Sequence, residues 1–197
     1  MTATEGRVAQ LRRRGLWLEY ASFAWMTAEA AVAIAAGVAA SSIALAGFGL
    51  DSAIELLAAA VVVWQLRGEG EDRQARAVRL VGVTFFVLAG YLIIVSVSDL
   101  AGHGQPRGSV PGLAVAGAAL LVMPLLALGK YRTGAALGSR ALVADAAESA
   151  FCATTSAATL AGVGLNAWAG WWQADPIAAL IIAALAVKEG IEAWRDD

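Results

Sequence analysis

Five acidic side chains interrupt runs that are otherwise apolar: Glu29, Asp51, Glu55, Asp145 and Glu148. At the centre of a membrane helix an ionised carboxylate costs roughly 2.5 to 3.5 kcal/mol even on the lenient insertion scale. No Lys or Arg is expected at comparable depth to neutralise them. They are therefore protonated, or a bound cation supplies the missing charge. Asp51 and Glu55 are four residues apart, and so are Glu148 and Cys152. Residues at i and i+4 share one helix face. Two such pairs on two helices could close around one ion. The chain has one cysteine, Cys152, and one histidine, His103, so a metal site must rest mainly on carboxylates. Carboxylates favour hard ions such as Mn²⁺, and a thiolate favours Zn²⁺.

Each candidate also has a plainer reading. A buried acid can be neutral and hydrogen-bonded across helices. A lone cysteine in an apolar helix is often a small core residue; the case for Cys152 rests on its register with Glu55. Glu29 and Asp145 are candidates for supporting groups around the site or steps on a proton path. His103 falls in a loop and is expected to be solvated. Asp175 and Pro176 fit a helix start, with Asp as N-cap and Pro in the first turn.

The elements that must position these residues are long. Of the 197 residues 59% are hydrophobic and only 15% are charged, whereas a soluble domain carries roughly 25% charged residues. A membrane span needs about 20 apolar residues. Six stretches qualify, at approximately 17–39, 42–66, 78–100, 112–131, 141–165 and 176–194. The first two are joined by a tight link. The others are separated by a charged loop (GEGEDRQAR), a polar loop from His103, a basic loop from Lys130 to Arg140 and a tryptophan-rich turn before Asp175. The expected class is all-α, a polytopic membrane protein of six transmembrane helices. Residues 1–16 form an N-terminal segment, 17–194 the helical domain and 195–197 a stub.

Orientation follows from the basic residues. Arg7, Arg12, Arg13, Arg14, Arg67, Arg73, Arg76, Arg79, Lys130, Arg132, Arg140 and Arg195 all fall on one side, with Lys188 near its end of the sixth span, and only Arg107 on the other. Both termini are thus expected in the cytoplasm of a cell whose inner membrane holds the protein. An N-terminal signal peptide is disfavoured, because the first apolar run is too long and contains Glu29. A net charge of −2 points away from nucleic acid.

The two acidic segments are alike. One reads Ser42-Ile-Ala-Leu45 and then Asp51-Ser-Ala-Ile-Glu55; the other reads Ser139-Arg-Ala-Leu142 and then Glu148-Ser-Ala-Phe-Cys152. Nine residues separate the serine from the first acid in both. At about 1.5 Å per residue this is roughly 13 Å, which brings both acids near the midplane of a ~30 Å core. Two intervening spans make the helices antiparallel, as in transporters built from inverted repeats.

These segments, SSIALAGFGLDSAIELLA and GSRALVADAAESAFCATTSA, together with WWQADPIAALIIAALAVKEG, resemble the cation diffusion facilitator family over nearly the whole chain. The resemblance implies a six-helix homodimer that exports a divalent metal ion (Zn²⁺, Mn²⁺ or Fe²⁺) from the cytoplasm in exchange for protons. It implies metal ligands at Asp51, Glu55, Glu148 and Cys152, and no enzymatic activity. The sequence departs from the family pattern, in which the second pair is His or Asp followed by Asp. It also shows neither a His-rich loop nor the cytoplasmic domain common after the sixth helix. These departures leave open a scaffold or metal sensor that keeps the fold without transporting. An unrelated proton-coupled transporter of small organic cations fits the acids but not the resemblance.

Overall fold

The computed structural model describes residues 3–67, 71–103 and 106–195. Among these residues six helices follow one another: α1 (Ala3–Ala40), α2 (Ile43–Arg67), α3 (Glu71–Ser98), α4 (Val110–Leu137), α5 (Arg140–Ala169) and α6 (Ala174–Arg195). A wide π turn at Asp99–His103 ends α3, with Gly102 at a φ of 94°. Among the described residues the structure is all-helical with six helices, as expected from the sequence. Gly68, Glu69 and Gly70 of the charged loop, Gly104 and Gln105 of the polar loop and the last two residues of the terminal stub lie outside the described residues.

The helices run longer than the apolar stretches. Residues Glu71–Arg79, expected as loop, are the first turns of α3. The basic loop between Lys130 and Arg140 shrinks to Gly138 and Ser139, because α4 continues to Leu137. Gly138 then takes the left-handed conformation (φ 67°) and its N–H returns to the carbonyls of Ala135 and Gly134, a common way to stop a helix. Helix α1 is continuous from Ala3, with no break at residue 17.

Among the described residues three segments, Gly6–Ala40, Phe85–Gly102 and Val110–Leu137, are long and apolar enough to cross a membrane by length and composition alone. They also carry the apolar exterior: Val38, Val87, Ile94, Leu121 and Leu125 are each 68–72% exposed. Water-facing monomers rarely present so much apolar surface. Helices α2, α5 and α6 carry inward-pointing polar residues, among them Asp51, Glu55, Thr155 and Asp175, and α1 and α4 add Glu19, Glu29 and Lys130.

Packing forms a ring of four, with α1 against α2, α2 against α5, α5 against α4 and α4 against α1. Helices α3 and α6 make a second pair beside it, joined to the ring through α2 and α5. At the end of that pair Phe86 meets Trp194 edge to face, with ring centroids 6.4 Å apart. Close approach of α1 and α2 depends on glycine. A Cβ at Gly37 would stand 2.6 Å from the backbone nitrogen of Ala46, and one at Gly49 would stand 2.8 Å from that of Ile34. Backbone cannot yield as a side chain can. Gly49→Val should therefore lower stability by about 1–3 kcal/mol, read as a fall of several degrees in the thermal midpoint of the detergent-solubilised protein.

The internal repeat is visible in the caps. Leu45 N donates to Ser42 Oγ (3.1 Å), and Leu142 N donates to Ser139 Oγ (3.3 Å). The same Ser-x-x-Leu device thus starts both acidic helices, satisfying a backbone N–H that the helix itself leaves free.

Asp175 corrects an expectation. It does not act as the N-cap of its own helix; it reaches across to α2. Its Oδ2 accepts from Ile43 N (2.8 Å) and Ala44 N (3.3 Å), and Oδ1 accepts from Ser42 Oγ. A fully buried carboxylate thereby satisfies the first amides of α2 and meets the positive end of its dipole. On the same side of the bundle, Arg107 donates its Nη2 to Ala39 O (3.0 Å) and its backbone N to Ala40 O (2.8 Å), closing the carboxyl end of α1.

Candidate metal centre

Asp51 and Glu55 lie one turn apart on α2 and point into the ring, with exposures of 0% and 2%. Cys152 on α5, also at 0%, faces them. One donor atom from each of the three falls within 4.8 Å of the others. Donors bound to a common Zn²⁺ at roughly 2.0–2.3 Å stand up to about 4 Å apart. Small side-chain adjustments would thus close this trio on an ion.

The oxygens are free to take one. Asp51 Oδ1 and both Glu55 oxygens are buried and accept no hydrogen bond. Buried acceptors left in that condition cost several kcal/mol when ionised, unless something positive joins them. The remaining contacts orient the donors. Thr155 Oγ1 donates toward Asp51 Oδ2 (3.1 Å), with the Cys152 carbonyl as its other acceptor (3.0 Å). Glu29 on α1 stands behind the trio. Its Oε1 accepts from Ser52 Oγ (2.6 Å) and from Cys152 Sγ (3.5 Å). A carboxylate placed to accept the thiol proton favours the sulfur as a ligand atom.

Of the four residues expected as ligands, three are thus brought together. Glu148 is not in the trio. It is partly exposed one turn before Cys152, within electrostatic reach of Asp51, Asp145 and Glu189. Asp145 is also elsewhere: it receives the ammonium of Lys130. This overturns the expectation that no Lys or Arg lies at depth. Lys130 is fully buried on α4 and also faces Ser149 Oγ (3.1 Å) and Glu19 Oε2 on α1 (3.6 Å). The sequence places Lys130 in a loop because the fourth apolar run ends near residue 131. The Gly138-Ser139 stop signal, seven residues further on, would have placed it two turns inside the helix. Glu19, close to the start of the first apolar run, carries no signal in the sequence that sets it apart. Thr155 and Ser52 were hidden among the many small polar residues of such helices.

The arrangement is a ring of helices holding a dry carboxylate–thiol cluster between two antiparallel, similarly capped elements, which is the architecture of a membrane carrier of small cations. The model of the cation efflux transmembrane domain matches residues 77–197, and the chain belongs to that family. Transmembrane protein 163 of Xenopus laevis is 27% identical over 138 residues, a match that covers 68% of this chain and 49% of that protein. The chain thus spans about half the length of this curated relative. Members of the family are membrane transporters of divalent cations, not enzymes.

Proposed function

We propose that the protein exports a divalent transition-metal ion, Zn²⁺, Mn²⁺ or Fe²⁺, from the cytoplasm in exchange for protons, using Asp51, Glu55 and Cys152 as ligands. The observation that carries this reading is the buried trio with three carboxylate oxygens left without a hydrogen-bond donor. Glu148, on the partly exposed side of the trio, is the fourth candidate ligand and completes the set when the helices close. Metal binds only to deprotonated oxygens and sulfur, so metal and protons compete for the same atoms. That competition couples opposite fluxes if the cluster opens to one side at a time. Both termini are cytoplasmic in this reading, residues 17–194 form the membrane domain, and two copies pair.

Metal tolerance of cells tests it. Expression of the wild type should raise the metal concentration that cells survive, and Asp51→Ala and Glu148→Ala at equal expression should not. Equal tolerance with all three would favour a scaffold or sensor. Cys152→Ser bears on the choice of ion. The substitution replaces a soft donor with a hard one and should lower preference for Zn²⁺ over Mn²⁺ by about tenfold or more. Unchanged selectivity in competitive binding would assign Cys152 to packing.

A further inference from the structure

A second group of charges is enclosed between α1, α4 and α5. Glu19 and Lys130 have side-chain exposures of 0%, and Asp145 of 2%. Lys130 Nζ meets Asp145 Oδ2, Ser149 Oγ and Glu19 Oε2. Neither oxygen of Glu19 accepts a hydrogen bond, although both are buried. Two carboxylates face one ammonium, so the ionised group is one positive charge short. An uncompensated charge in so dry a place is costly. The ammonium itself shows what the place accepts: a cation seated among carboxylate oxygens and a hydroxyl. Without it, Glu19, Asp145 and Ser149 present an all-oxygen donor set, which suits a hard divalent cation.

The location also fits. Asp145 lies seven residues before Cys152, about 10 Å nearer the start of α5. Glu19 is ten residues before Glu29, so it is displaced along α1 in the same sense, toward the end of the bundle that bears the chain termini. Glu148 stands between the two groups on α5, and its charge reaches Lys130, as does that of Glu55 on α2. An ion moving along this face of α5 would meet carboxylates at each turn.

We propose that Glu19, Asp145 and Ser149 form a second cation site on the terminus-facing side of the metal cluster, which binds a hard divalent cation when the Lys130 ammonium leaves it. Lys130 is then a tethered competitor that occupies the site while no ion does. The proposal rests on the reading of the Asp51 cluster as the cargo site.

Mn²⁺ binding to the purified full chain, followed by the electron-paramagnetic signal of free Mn²⁺, tests it. The wild type should bind one ion tightly and a second about tenfold or more weakly. Glu19→Gln should lose the weaker ion alone. Lys130→Met should strengthen that ion at least about tenfold, and Lys130→Arg should not. Asp51→Asn should lose the tight ion alone. Saturation at one ion in both the wild type and Lys130→Met would overturn the proposal, and so would a second ion that survives Glu19→Gln. If Lys130→Met does not fold, the comparison of wild type with Glu19→Gln decides alone. A Glu19-dependent ion with no Asp51-dependent one would leave this site standing and remove the cargo reading.

Discussion

Asp51→Asn should weaken binding of the transported metal by at least about 100-fold, measured by calorimetry on the purified protein. The substitution is close to isosteric and removes the charge of a fully buried carboxylate, the proposed ligand. Even residues that only orient a metal's ligands cost 10- to 100-fold when changed, so loss of a ligand should exceed that range. The fold should survive, because Asp51 Oδ1 has no hydrogen-bond donor to lose and Thr155 Oγ1, the donor to Oδ2, keeps the Cys152 carbonyl as an alternative acceptor. Glu55→Gln should behave alike, since both of its oxygens are without donors. An unchanged affinity in both variants, with the protein folded, would mean that the ion binds elsewhere.

Asp175→Ala should be the most damaging substitution away from the cluster. It strips the Ile43 and Ala44 amides and the Ser42 hydroxyl of their common acceptor in a fully buried place. Hydrogen bonds to a charged group contribute about 1.5–3 kcal/mol each. Ser42 Oγ would still cap Leu45 N, which limits the loss. A net destabilisation of about 2–4 kcal/mol is expected. For a chain of this size that corresponds to a fall of about 5–15 °C in the thermal midpoint. Asp175→Asn should fall between, because the amide oxygen can serve one donor but not the dipole. A midpoint unchanged within about 1 °C would show that water replaces the carboxylate without cost.

Asp175 also marks the boundary of what the sequence could reveal. Local rules place an Asp before Pro at a helix start, and a helix does start there. Those rules cannot show that the carboxylate serves the amides of a helix more than 130 residues away in the chain. The six helices were legible because lipid demands apolar length, and Asp51 and Glu55 stood out because acids are rare in such runs. The shared Ser-x-x-Leu starts were legible as a pattern, and their role as matched caps needed coordinates. Register between α2 and α5 was not legible. Spacing within each helix allows Glu148 and Cys152 equally, and packing brings Cys152 to Asp51 and Glu55 while leaving Glu148 toward the terminus-facing side. The depth of Lys130 is hidden in the sequence for a physical reason. Its long stem lets a residue near the expected end of a span reach inward to Asp145, where it is buried completely.

The most direct measurement is uptake of Zn²⁺, Mn²⁺, Fe²⁺ and Co²⁺ into proteoliposomes holding the purified protein, with an imposed pH gradient. Saturable uptake of at least one of these ions, rising with the gradient and disappearing in Asp51→Ala, is the expected result. No flux of any of them through folded, reconstituted protein would contradict it and leave a metal-binding membrane protein that does not transport.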